Sequence, residues 1–155
     1  MIDEFKQWKS GTGKLCNITE VINRIKNLTP VDIHIGSDSK ITKSNVTFAT
    51  AICLLDPGNG GIYFIHEIKN PIKKSFYNLQ VRLFQEVNMS IAIAKEIENK
   101  TGQSVLIHID ANQQLIHKSA KYAKNLANYV VSMGFKYILK PGSWASANVA
   151  DRYTK

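Results

Sequence analysis

Two hydrophobic rhythms alternate along this chain. Residues 31–37, VDIHIGS, alternate with a period of two and are rich in β-branched side chains, the pattern of a half-buried strand. VTFATAICLL at 46–55 and a run at 62–68 read the same way, and the turn-rich DPGNGG between them makes the pair a hairpin. The period then lengthens. Over 76–99 the positions Leu79, Leu83, Glu86, Ser90, Ile93 and Ile97 recur at helical spacing, so a long amphipathic helix is expected. SVLIHID is a fourth strand, 115–133 a helix closed by Gly134, and FKYILK a fifth strand. A Pro141-Gly142 turn and a short helix from about Ser143 finish the pattern. Upstream, residues 3–9 read as a short helix, and Asn17 followed by Glu20 opens a capped helix running to about Asn27, ended by Thr29-Pro30.

This order restricts the topology. Parallel crossovers are right-handed and hairpin strands are neighbours, which predicts a five-stranded mixed α/β sheet of order 3-2-1-4-5, strand 2 antiparallel, flanked by helices. The ligand crevice of such a sheet lies beyond the carboxyl ends of its central strands, and both of those end in aspartate. On the first strand Asp38 shares a face with His34 and Gly36; on the fourth, Asp110 shares one with Leu106 and His108. Glu86 sits inside the apolar stripe of the long helix, where an unpartnered carboxylate is costly. Asp151 adds a fourth acid from the last helix. Converging carboxylates repel one another unless a cation neutralises them, and an oxygen-only set suits Mg²⁺ or Mn²⁺, with two ions able to act together on a phosphodiester. Taken alone, Asp38 reads equally well as a strand-end or helix-capping residue; the four acids together favour the metal.

Composition supports part of this picture. A chain of 155 residues is about one domain, here 1–155 with residues 1–30 as a short helical extension. Twenty Lys+Arg against 12 Asp+Glu give a net charge of +8, which favours a polyanionic partner. No long apolar run is present and MIDEFKQWKSGTGK is too charged for a signal peptide, so a cytoplasmic location and no membrane partner are expected. Cys16 and Cys53 form no CxxC and read as free thiols. Gly11-Thr12-Gly13-Lys14 lacks phosphate-loop spacing and reads as a loop. Lys40, Lys73, Lys74, Lys140 and Arg152 are candidates for phosphate contacts, and Ser37, Ser39, His108 and Asn112 for groups supporting the acids.

The phrases IGSDSK, HIDAN and KPGSWASANVADRYTK, with FQEVN on the long helix between them, resemble the YkuK-like family of ribonuclease H-related nucleases. The resemblance covers roughly residues 31–155, and the opening segment resembles that family's N-terminal extension. It implies a ribonuclease H-like fold and a nuclease that hydrolyses phosphodiester bonds of nucleic acid (RNA, DNA or hybrid) with two divalent ions. Its catalytic, metal-binding carboxylates fall on Asp38, Glu86, Asp110 and Asp151, with Asp38 touching both ions. The alternative is a non-catalytic nucleic-acid-binding module on the same fold.

Overall fold

The computed structural model describes residues 7–28 and 30–155. Strands β1 (Gln7–Ser10) and β2 (Leu15–Asn17) precede helix α1 (Ile18–Leu28); β3 (Asp32–Ile41), β4 (Asn45–Asp56) and β5 (Gly60–Pro71) follow. A 3₁₀ turn (Lys74–Tyr77) leads into helix α2 (Leu79–Thr101), then β6 (Val105–Asn112), α3 (Ala120–Ser132) and β7 (Lys136–Lys140). The chain closes with a π-helical turn (Ala145–Val149) and a 3₁₀ turn (Ala150–Tyr153).

The sheet order is β2-β1-β5-β4-β3-β6-β7. Its last five members are the expected strands in the expected order, with β4 antiparallel to both neighbours and β6 and β7 parallel to β3. The sheet nevertheless has seven strands, not five. The extra pair is a hairpin whose first strand joins the free edge of β5 at Lys9–Ile65 and Ser10–Phe64. It replaces the helix expected over 3–9, of which residues 3–6 lie outside the described residues. The loop expected at residues 11–14 turns this hairpin: Gly13 has φ 91°, and its N–H donates to the Ser10 carbonyl. Helix α1 starts where the capping pair predicts, with Asn17 Oδ1 accepting from the Glu20 N–H at 2.8 Å.

The two sheet faces are covered unequally. Helix α2 lays Leu83, Val87, Ile93 and Ile97 on one face, against Ile33, Ile35, Ile107 and Ile109 of the central strands. Asn78 caps its start through the Gln80 N–H, and Gly102, at φ 69°, ends it. The opposite face carries a thinner cluster of Ala49, Ala51, Cys53 and Ile65, closed by Ala145 and Ala150 of the terminal turns. Close packing there needs Gly36: a Cβ at that position would stand 2.5 Å from the Ser146 nitrogen. Helix α3 begins at Ala120 rather than 115, because residues 113–119 form consecutive turns. Among the described residues no helix is long and apolar enough to cross a membrane.

Candidate active site

The parallel pairing of β3 with β6 runs from Ile33–Val105 to Gly36–His108 and stops there. Two residues further along each strand stand Asp38 and Asp110, so both acids occupy the mouth left where the ladder ends. Glu86 arrives from α2. One carboxylate oxygen from each of Asp38, Glu86 and Asp110 lies within 4.8 Å of the others, with Asp38 and Glu86 buried and Asp110 half-buried.

Water is largely excluded from this cluster. Burial is the main reason that the Asp38 carboxyl is pushed up to about 8, assisted by a hydrogen bond and like charge from Asp110 and by the charge of Asp151. Burial, then Asp110 and Asp38, raise Glu86 well above the usual carboxylate range. Three polar groups partly offset this repulsion. Thr154 donates its hydroxyl to Asp38 Oδ2 at 2.9 Å, Ser39 donates to Glu86 Oε1 at 2.5 Å, and Lys140 Nζ stands 2.6 Å from Asp110 Oδ1. Burial works against the Lys140 ammonium, but the three acids outweigh it and hold its pKa above the ordinary lysine value.

Asp151 stands outside the set of three. Its carboxylate is 3.2 Å from Lys155 Nζ and more than a third exposed. It remains tied to the site, since Thr154, which bonds Asp38, also donates to the Asp151 carbonyl at 3.0 Å. Of the four supporting candidates only Ser39 touches a carboxylate. Ser37 is engaged with Thr50 (2.9 Å) and Ser90 (2.8 Å), a buried hydroxyl chain that fastens α2 to the sheet one turn after Glu86. His108 Nδ1 accepts the Ala145 N–H at 3.1 Å, so neutral His108 carries its proton on Nε2 and faces His34 Nδ1 at 2.9 Å. Burial and His34 push His108 down to about 4, and the pair packs edge-on and tilted against Trp144. His108 thus holds the C-terminal turn rather than the acids. Asn112 shapes the loop after β6 by accepting from the Gln114 N–H at 2.8 Å.

Among the basic candidates, Lys40, Lys73, Lys74 and Arg152 are exposed and Lys140 is half-buried. Two site residues escaped sequence reasoning. Thr154 carries no readable signal, whereas Arg82 did: it precedes Glu86 by four residues on α2, its charge opposes the rise of the Glu86 pKa, and its guanidinium donates to the Phe76 carbonyl at 2.8 Å. Cys16 and Cys53 are free.

A search of curated proteins gave no match. Among solved structures, Ciona intestinalis endonuclease V, in complex with a 24mer DNA containing an inosine followed by a ribo-adenosine, is similar at 14% identity with a TM-score of 0.39. The similarity covers 79% of this chain, which spans 56% of that one. A family model described as Ribonuclease H-like matches residues 16–155, which bears out the resemblance to the YkuK-like group: the chain belongs to the ribonuclease H-like family.

Proposed function

We propose that the protein is a nuclease that hydrolyses phosphodiester bonds in nucleic acid with Mg²⁺ or Mn²⁺, two ions acting together. The observation that carries this reading is the convergence of Asp38, Glu86 and Asp110 from three separate elements. The donor set fits such ions. It is oxygen-only and largely buried, and burial, together with more acid than Lys140 and Arg82 offset, raises the carboxyl pKa values of Asp38 and Glu86. A protein that merely held a polyanion would gain nothing from burying three acids together.

In this reading Asp38, Glu86 and Asp110 hold the ions, with Asp151 the fourth ligand offered from the terminal turn. When bound, such ions stabilise charge on the phosphate oxygens and activate water. The chain's own groups do the rest. Thr154 and Ser39 fix the rotamers of Asp38 and Glu86, and the buried Ser37–Ser90 contact sets the depth of Glu86. Lys140, at the mouth, offers positive charge to a phosphate. Lys40, Lys73, Lys74 and Arg152 extend that charge along the backbone of the nucleic acid, in keeping with the net charge of +8.

The test is a cleavage screen of single-stranded RNA and DNA, duplex, RNA:DNA hybrid and branched junction, in Mg²⁺, Mn²⁺ and EDTA, with Glu86→Gln alongside. At least one substrate is expected to be cut in metal and spared in EDTA, and Glu86→Gln should lose at least about a hundredfold in rate. Binding without cleavage of any substrate in either metal would overturn catalysis and leave the non-catalytic module.

A further inference from the structure

The loop that follows Asp110 presents its apolar side chains outward. The His117 N–H closes a turn on the Gln114 carbonyl at 3.0 Å, so the two central positions of that turn are Leu115 and Ile116. Turn centres ordinarily carry Gly, Pro, Asn or Asp. Here Leu115 is 94% exposed and Ile116 86%, the highest values among the large hydrophobic side chains described. Single exposed aliphatic residues need no explanation, but two adjacent ones on a braced turn do. The turn is braced: Asn112 Oδ1 accepts the Gln114 N–H, Ser119 Oγ accepts the Asn112 N–H at 3.0 Å, and the Ala120 N–H bonds the His117 carbonyl at 3.1 Å.

The surroundings identify what the tip meets. It rises from the strand end that carries Asp110, beside a groove of about 370 Å³ lined by Leu79, Leu115, His117, Lys118, Lys121 and Tyr122. Between residues 111 and 150 there are five lysines and neither Asp nor Glu. An apolar tip beside a groove whose charged lining residues, Lys118 and Lys121, are both basic complements a ligand that is anionic along its backbone and apolar on its faces, which describes a nucleic acid with an opened base step.

We propose that Leu115 and Ile116 form a wedge that enters a base step of the nucleic acid held across the acid cluster, while Lys118 and Lys121 take its phosphates. This deepens the reading of the preceding subsection and rests on it for the partner. It makes the preferred substrate one whose bases are already unstacked, or easily unstacked, beside the reacting phosphate.

The experiment uses the full chain carrying Glu86→Gln in Mg²⁺, so that bound oligonucleotides stay intact, with and without the pair Leu115→Ser and Ile116→Ser. Oligonucleotides carry 2-aminopurine at successive positions; its fluorescence rises when its base unstacks, and anisotropy reports affinity separately. The unaltered tip is expected to brighten one position severalfold. The double substitution should return that signal to the free-oligonucleotide level and weaken binding by about tenfold, with the salt slope unchanged because the lysines remain. Normal binding with no brightening in either protein would overturn the wedge and leave the nucleic-acid reading standing. No binding to any oligonucleotide would overturn both. If the substitutions instead abolish sedimentation with anionic phospholipid vesicles, or self-association in the ultracentrifuge, the tip belongs to a membrane or to a second copy and the wedge is wrong.

Discussion

Replacing Asp38 by asparagine should stabilise the protein in the absence of metal. In the folded state its carboxyl titrates at about 8, against 3.8 for the free side chain. A group whose folded pKa is raised costs stability as pH climbs from the unfolded value through the folded one. At pH 7 the unfolded chain ionises Asp38 freely while the folded chain keeps it largely protonated, a difference of about 3 pH units at 1.36 kcal/mol each, hence about 4 kcal/mol. Asparagine does not titrate, and its amide oxygen can still accept the Thr154 hydroxyl while its NH₂ faces Asp110. Because Asp110 and Glu86 relax along with it, about 1–4 kcal/mol is the gain to expect, or a rise of roughly 2–16 °C in Tm for a domain of this size. The gain should vanish near pH 4 and reach its plateau above about pH 8. Millimolar Mg²⁺ should narrow or reverse it, because a ligand that binds only the folded wild type adds about 2.7 kcal/mol at a hundred times its Kd. Differential scanning calorimetry in EDTA and in Mg²⁺, from pH 4 to 9, reads all of this. An Asp38→Asn protein less stable than wild type in EDTA at every pH, by the 0.5–2 kcal/mol of a lost cap, would refute the argument.

The same charge state predicts that Mg²⁺ binding releases protons below about pH 8, so calorimetric heats at pH 7 should differ between buffers of unlike ionisation enthalpy, and affinity should rise with pH; buffer-independent heats would count against it. Gly36→Ala should cost about 1–3 kcal/mol by forcing the Ala145–Ser146 backbone off β3, and should lower cleavage further by displacing Thr154 and Asp151; a variant with unchanged melting and activity would show that the terminal turn does not depend on this contact.

Most of the acid cluster was legible because its signals are local. Asp38 and Asp110 stand three and two residues before the ends of strands whose period is visible within ten residues, and Glu86 interrupts an apolar stripe over a helix of 23. What escaped depends on partners far away in sequence. Thr154 reaches Asp38 across 116 positions, and Ser37 turns to Thr50 and Ser90 instead of the acids. The β1–β2 hairpin was hidden for another reason. Strands of four and three residues hold too few alternations to set a period, and Trp8 alone marks the buried face. Leu115 and Ile116 read as helix core in the sequence and so extend the expected α3 to 115; they are instead the exposed tip of a turn, and the helix starts at Ala120.

The placement of Asp151 follows from the same competition of charges. Drawing a fourth carboxylate into a cluster where burial and like charge already raise Asp38 and Glu86 would add repulsion that Lys140, Arg82 and two hydroxyls oppose. Asp151 stands at the rim beside Lys155, more than a third exposed, while its carbonyl shares the Thr154 hydroxyl with Asp38. The terminal turn is thereby coupled to the protonation and ligation of Asp38 through a single side chain. A bound cation that neutralised Asp38 and its neighbours would remove the reason for Asp151 to stay outside, and Thr154 already joins the two residues. If so, Thr154→Val should weaken Mg²⁺ binding by loosening Asp38 and by freeing the turn, whereas Lys155→Ala, which removes only the rim partner, should strengthen it. Titration of both variants with Mg²⁺, followed by calorimetry, tests the coupling; equal affinities in the two would show that Asp151 and the terminal turn lie outside the cation's reach.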